Sequence, residues 1–330
     1  MRILVYGAGV VGSFYAVQLH DAGHEVTLLA RGQRLADIRE HGVVLEDIDT
    51  EQQTTASVRV AEQLAPEDAY DLVLVAMRKN QVHSVLPILA ANHHTPSVLF
   101  LGNNAAGPDE LVTALGRERV LMGFGGVGGV RVGHVVRYTA GKGRRRAAVL
   151  ADELDGRSTP RLQRIIGAFA QAGVEVQVCP RIDAWLKVHI AFVGPLANAL
   201  CGAGGDNYRL ARTRDGVVLA IRGIHEGFRV LRALGVPVIP LRLRLYLAVP
   251  EPILVPQVQR RLATRAAEIG LAGHARAARD EMLHLAEEFK SLVRASGVPT
   301  PVMDRLYTYL DPTVPLIPDG SAELALHWRG

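Results

Sequence analysis

Six residues near the start of the chain have the spacing that a diphosphate requires. Gly7-Ala8-Gly9-Val10-Val11-Gly12 reads G-x-G-x-x-G, with the apolar run Ile3–Tyr6 before it and the helical stretch Val11–Ala22 after it. In that context the first glycine permits a tight turn, the second lets the backbone approach the phosphates, and the third lets helix pack on strand. The helix N-terminus then offers unpaired N–H groups and the positive end of its dipole to the anion. A second apolar strand, Glu25–Ala30, ends in Arg31, followed by Gly32 and Arg34. Sites for NAD carry an acid at that strand end, which accepts from the ribose hydroxyls. A guanidinium there suits a 2′-phosphate through charge-assisted hydrogen bonds, so the cofactor expected is NADP.

These residues need a scaffold, and the first 125 or so residues supply its pattern. Val/Leu/Ile runs at Ile3–Tyr6, Glu25–Ala30, Asp71–Met77, Ser97–Leu101 and Val120–Gly123 alternate with helical stretches such as Val11–Ala22 and Gln81–Ala91. Continuous apolar strands alternating with helices predict a parallel sheet covered on both faces. Gly-rich Gly125–Gly133 leads into Val135–Tyr138 and Ala147–Leu150, which read as strands that extend this sheet, followed by a helix over Pro160–Ala172 and a strand over Val174–Val178. Beyond Asp183 long helical patterns take over, at Ala184–Ala203, Ala211–Leu234 and Arg276–Ala295. Pro-rich Val236–Pro240 and Pro250–Pro256 are expected to be loops between them. The fold class expected is α/β: an N-terminal Rossmann dinucleotide-binding domain, 1–180, followed by an all-helical domain, 181–330, with the active site in the cleft between them.

Composition narrows the function classes. A chain of 330 residues, 48% hydrophobic and 21% charged, is ordinary globular composition and long enough for two cores. The net charge of +4 is scattered apart from Arg144-Arg145-Arg146, which reads as a solvated strand end. With aromatics at 5%, stacking platforms for bases are scarce, so an anionic cofactor or substrate is expected and nucleic acid is not. Met1 runs directly into a strand without a signal-peptide layout, and no 18 uninterrupted apolar residues occur. A cytoplasmic enzyme without a membrane partner is therefore expected. Cys179 and Cys201 read as free thiols in a reducing compartment, and no metal site is expected at His93-His94 or elsewhere.

With these residues placed, the chain resembles the ketopantoate reductase (2-dehydropantoate 2-reductase) family. The Gly7–Gly12 loop, the His24-Glu25-Val26 strand entry and Arg31 carry the resemblance in the first half. It implies a ribose contact from Arg78 in Val75-Ala-Met-Arg78-Lys-Asn-Gln81, where the family usually has lysine. It also implies a place for Asn103 near the nicotinamide, and one for Gly129 close to the cofactor. In the second half Trp185-Leu-Lys187 matches a segment whose lysine donates the proton to the reduced carbonyl, and Glu281 falls where the family has a glutamate before its Gly-(Ile/Val) turn, here Gly297-Val298.

The substrate half departs from the family. Its asparagines one and two turns after the lysine fall here on Ala191 and on Gly194 or Pro195. Ala267-Glu-Ile-Gly-Leu271 replaces a polar Asn/Ser stretch, so Ile269 and Leu271 are expected to line a less polar wall. On a helix Lys187 shares a face with Ala191, Gly194 and Asn198, and small residues there leave room for a ligand. Pro195 is expected to weaken the helix at that point. His189 turns away from that face and reads as structural or exposed, whereas Glu281 reads equally as a cleft residue or half of a surface ion pair.

The expected function is NADPH-dependent reduction of a small 2-oxo acid or related carbonyl. Lys187 is the general acid, Glu281 and Asn198 are substrate contacts, and Gly7 to Gly12, Arg31, Arg78, Asn103 and Gly129 bind cofactor. Ketopantoate is the leading named substrate. The alternatives are reduction of a different carbonyl or an imine, and a non-catalytic NADPH sensor. The partner expected is a small molecule. The oligomeric state stays open, with a homodimer among the options.

Overall fold

The computed structural model describes residues 1–141 and 148–328, so Arg144, Arg145 and Arg146 lie outside the described residues. The chain divides into two compact units. The first holds Met1–Asn103 and Gly107–Asp183; the second holds Ala184–Gly330 together with the tripeptide Asn104–Ala106.

The first unit is built on an eight-stranded sheet. Its strands are β1 (Arg2–Tyr6), β2 (Glu25–Leu29), β5 (Arg59–Ala61), β6 (Leu72–Val75), β7 (Val98–Leu101), β8 (Val120–Gly125), β11 (Val149–Glu153) and β12 (Val176–Val178). Their order is β12-β11-β8-β7-β6-β1-β2-β5, with β11 antiparallel to β8 and every other pair parallel. The chain moves outward from β1 to β2, then returns to β6 on the other side of β1. That reversal opens the crevice at the C-terminal end of β1 where doubly wound sheets hold their ligands. Leu72, Val73, Leu74 and Val75 are all buried, as a strand covered on both faces requires.

Four more strands form a separate sheet, and here the sequence expectation needs correction. β3 (Val43–Asp47) and β4 (Gln53–Ala56) pair with β9 (Gly128–Val132) and β10 (Val135–Thr139) in the order β4-β3-β10-β9. Of the segments expected to extend the main sheet, only β11 does so. Tyr138 of β10 turns its ring to Phe14, 4.9 Å between centroids, on the helix Val10–Asp21. Burial against that helix gives β9 and β10 their own layer. The helix expected over Gln81–Ala91 is also broken, into Lys79–Val82, a 3-10 turn at His83–Val85, and Leu86–Ala91 with a proline in its first turn.

The second unit is helical. Its central helix, Ile182–Gly202, is long and apolar enough by length and composition to cross a membrane; here it is a core element, with Leu186, Val188, Ala199 and Leu200 buried. It runs on through Pro195. The helix expected over Ala211–Leu234 is two, Asn207–Arg212 and Arg214–Ala233, the first capped by the Asp206 carboxylate. The loop expected at Pro250–Pro256 is the start of a helix, Glu251–Leu262. Pro252 sits in the first turn, where no N–H is needed. Pro256 removes one backbone bond, and burial of Leu254, Val255, Val258 and Leu262 outweighs that loss.

Glu251 ties this unit together. Its two carboxylate oxygens each lie 2.8 Å from the Arg222 guanidinium, and the backbone N–H of His327 donates to it at 2.9 Å. Burial pushes the Glu251 carboxyl up, but the hydrogen bonds from Arg222 and His327 outweigh it and hold the group below the usual glutamate range. A folded pKa below the unfolded one makes the ionised form the stabiliser. The contribution is present above about pH 4.3, the unfolded value, and is lost as pH falls through the lowered folded value. Thermal unfolding midpoints of wild type should therefore fall further between pH 6 and pH 3.5 than those of Glu251→Gln, which has no such proton to take up.

Candidate functional site

The glycine loop has the geometry its three glycines imply. Gly7 has φ +118°, and a Cβ there would lie 2.5 Å from the Ala76 carbonyl oxygen; a Cβ on Gly12 would lie 1.8 Å from the Gly7 oxygen. Neither position tolerates a side chain. At Gly9, by contrast, a Cβ would meet nothing within 4 Å, and the residue is exposed. Gly9 is the N-cap of the helix Val10–Asp21, whose first-turn N–H groups have no partner within the helix. Ala8, Val10 and Val11 are half-buried around it.

Arg31 and Arg34 divide their labour in a way the sequence does not reveal. Arg31 is exposed at the end of β2, and its charge pulls down on the Tyr6 phenol against the upward push of burial, which places it beside the end of β1. Arg34 is buried, 8% exposed, and all three guanidinium nitrogens are engaged. Nε donates to the Ala8 carbonyl at 3.1 Å, Nη1 to the His134 carbonyl at 2.8 Å, and Nη2 to Ser13 Oγ at 3.0 Å. Ser13 Oγ in turn donates to the Ala8 carbonyl at 3.2 Å. Arg34 thus joins the glycine loop, the helix after it and the β9–β10 turn.

The other expected cofactor residues are spread more widely. Arg78 follows β6, half-buried, as the N-cap of Lys79–Val82; its neighbour Lys79 is buried with Nζ 3.4 Å from Glu110. Asn103 follows β7 by two residues. The loop, Arg31, Arg78 and Asn103 all come after the C-terminal ends of neighbouring parallel strands. Gly129 instead lies in the four-stranded sheet opposite Tyr138, where a Cβ would lie 2.2 Å from the Arg137 carbonyl oxygen. That contact alone demands a glycine.

In the second unit Lys187 is half-buried near the start of its helix. His189 stacks on Trp185, with centroids 5.1 Å apart and planes at 11°. Ala191 does not leave room for a ligand: it is fully buried, and a Cβ on Gly227 of the helix Arg214–Ala233 would lie 3.1 Å from its Cβ. The face two and three turns after Lys187 stays open. Gly194 and the buried Asn198 line a pocket together with Leu285, Phe289 and Met303. Ile269 and Leu271 do not line it; they belong to a π-helical turn, Glu268–Gly273, and Leu271 packs against the helical core. Glu281 is buried, 3% exposed, in the first turn of the helix Arg279–Ser296, which removes the surface ion pair reading. The helix Pro301–Thr308, unmarked in the sequence reading, adds a wall to the pocket. Among the described residues no group of three His, Cys, Asp or Glu could hold a metal.

A doubly wound sheet, a glycine loop open at its second glycine and a helical second unit define an NAD(P)-dependent oxidoreductase. Residues 3–149 match the family model described as Ketopantoate reductase PanE/ApbA. A 2-dehydropantoate 2-reductase of Pyrococcus abyssi is 24% identical over 245 residues, 72% of this chain and 75% of that protein. The structure of 2-dehydropantoate 2-reductase from Geobacter metallireducens superposes with a TM-score of 0.74 at 20% identity, covering 95% of this chain and 100% of the other. D-mandelate dehydrogenase with NADH and anilino(oxo)acetate gives 0.76 at 16% identity, covering 94% and 97%. The N-terminal part of the chain is thus similar to the ketopantoate reductase family, and the chain as a whole shares the fold of the solved proteins named above.

Proposed function

We propose that this protein is an NADPH-dependent reductase of a small 2-oxo acid or related carbonyl. The observation that carries the cofactor choice is the exposed Arg31 beside a glycine loop open at Gly9, with Arg34 committed elsewhere. The loop and the N–H groups of the following helix bind the diphosphate, and Arg31 binds the 2′-phosphate. The nicotinamide, when bound, supplies hydride to the carbonyl carbon. Lys187 donates a hydrogen bond to the carbonyl oxygen, then transfers a proton to it as the alkoxide forms, and regains a proton from solvent. Glu281 and Asn198 are the candidates for polar contacts to substrate.

Arg31→Ala should weaken NADPH binding by about ten- to a hundred-fold, the worth of a charge-assisted contact of about 1.5–3 kcal/mol, and change NADH binding little. Equal affinity of the wild type for the two cofactors refutes the assignment. The reaction itself is tested by following NADPH oxidation with a panel of 2-oxo acids that includes ketopantoate. NADPH binding without turnover of any of them leaves a sensor or a reductase of another carbonyl or an imine.

A second reading, reduction of a different carbonyl or an imine, is favoured by one observation. On the resemblance, Ala191 falls where the family has an asparagine, and it is fully buried, with a Cβ on Gly227 placed 3.1 Å from its Cβ. A site built to hydrogen-bond a substrate hydroxyl rejects analogues strongly because its own polar groups go unpaired; without that amide the selection for ketopantoate relaxes.

A further inference from the structure

Just after Asn103 the backbone meets a carboxylate from far along the chain. Glu288 Oε2 accepts from the N–H of Ala105 at 2.9 Å and from the N–H of Ala106 at 3.2 Å, across 183 and 182 residues of sequence. The other oxygen, Oε1, lies 3.3 Å from His284 Nε2, one turn back on the helix Arg279–Ser296. The Glu288 side chain is only 9% exposed, so these contacts form where water competes little.

The segment that Glu288 holds is a detour of the chain. Asn103 is the last residue of the first unit before it and Gly107 the first after it, while Asn104, Ala105 and Ala106 belong to the helical unit. Asn104 is buried, and Ala105 is fully buried in the hydrophobic core of the helical unit. Gly107 has φ +93°, a conformation glycine adopts freely. Burial of one methyl group is non-directional and sets no orientation; hydrogen bonds do. The two N–H groups belong to the peptides before and after the Ala105 Cα. Holding both on one oxygen fixes Ala105 and the direction in which Asn104 runs back to Asn103. Glu281, Leu285 and Glu288 follow one another by four and three residues, so they share a helix face. One helix thus carries a candidate substrate contact and, about 10 Å further along, the anchor of the peptides next to Asn103.

We propose that Glu288 is a positioning residue for the cofactor, which holds Asn103 where it meets the nicotinamide end. The proposal rests on the reductase reading, in which Asn103 is the nicotinamide contact. Glu288 itself touches neither cofactor nor substrate; it acts through the backbone of Asn104–Ala106. Placement of this kind matters because an error of about 1 Å at a reacting group can cost about 10²-fold in rate.

The test is calorimetric binding of two ligands, NADPH and adenosine 2′,5′-bisphosphate, which lacks the nicotinamide half. Wild type, Glu288→Ala, Glu288→Gln, Asn103→Ala and the double variant Glu288→Ala/Asn103→Ala are compared. Glu288→Ala should weaken NADPH binding about three- to ten-fold, the worth of one neutral contact, and leave the bisphosphate unaffected. Retained bisphosphate binding also shows that the glycine loop is folded in each variant. Glu288→Gln keeps an oxygen that can accept from both N–H groups and should recover most of the loss. The double variant should bind NADPH about as well as Asn103→Ala alone, because residues that act through one another do not add. Equal losses for both ligands, no loss in Glu288→Ala, or additive losses in the double variant overturn the proposal while leaving the reductase intact. A wild type that does not bind NADPH refutes the reductase reading, and the proposal falls with it.

Discussion

Lys187→Ala is expected to lower kcat by about 10²–10⁴-fold, the usual contribution of a positioned general acid. Reduction of a carbonyl leaves an alkoxide unless a proton arrives as the hydride does, so loss of the ammonium removes a stabilisation made mainly in the transition state. Loss at that stage lowers kcat and kcat/KM together. NADPH affinity should change little, because the glycine loop and Arg31 belong to the first unit and Lys187 to the second. Lys187→Arg should stay slow: guanidinium keeps the charge but does not release its proton at neutral pH. Pre-steady-state reduction with saturating NADPH reads the step directly. Near-normal turnover by Lys187→Ala would return the residue to an ordinary half-buried lysine.

Arg34→Met is expected to cost about 2–4 kcal/mol of stability in the first unit and to weaken NADPH binding about ten-fold. Arg34 donates to Ala8, His134 and Ser13 from a site 8% exposed. A bond from a charged donor is worth about 1.5–3 kcal/mol, and release from burying a cation offsets part of the sum. The affinity loss follows from the Ala8 carbonyl, which sits between Gly7 and Gly9 and loses its anchor. Arg34→Lys should recover little, since one ammonium cannot reach three acceptors that a planar fork meets at once. Urea unfolding and a cofactor fluorescence titration measure the two effects. An Arg34→Met protein unchanged in both would show that the loop holds its shape unaided.

The nucleotide-binding face was legible in the sequence because its determinants are local. Gly7, Gly9 and Gly12 each answer to a turn, an approach or a helix contact within one strand–turn–helix unit. Arg31 needs only to follow its strand by a residue or two, and strand and helix periodicity locate both. What Arg34 does was not legible. Its three acceptors lie 21, 26 and 100 residues away in sequence, and nothing in Gly32-Gln33-Arg34 distinguishes a buried clamp from a second phosphate ligand. The four-stranded sheet escaped for the same reason: β10 pairs with β3 across some ninety residues, and alternating side chains say that a strand exists without saying which strand it joins.

By itself, then, the sequence determined a dinucleotide-binding α/β half, the basic residue at the end of β2 and a helical second half with a lysine on one face. Each follows from turn, capping or periodicity rules that act within a few residues. Only the tertiary structure decided that Ala191 is fully buried against Gly227, that the helix Glu251–Leu262 forms despite Pro256, and that the pocket beyond Lys187 has an apolar third wall from Pro301–Thr308. Those outcomes depend on which distant surfaces meet. The free energy of burying apolar area between helices far apart in sequence outweighs a single proline or the local preference of a residue.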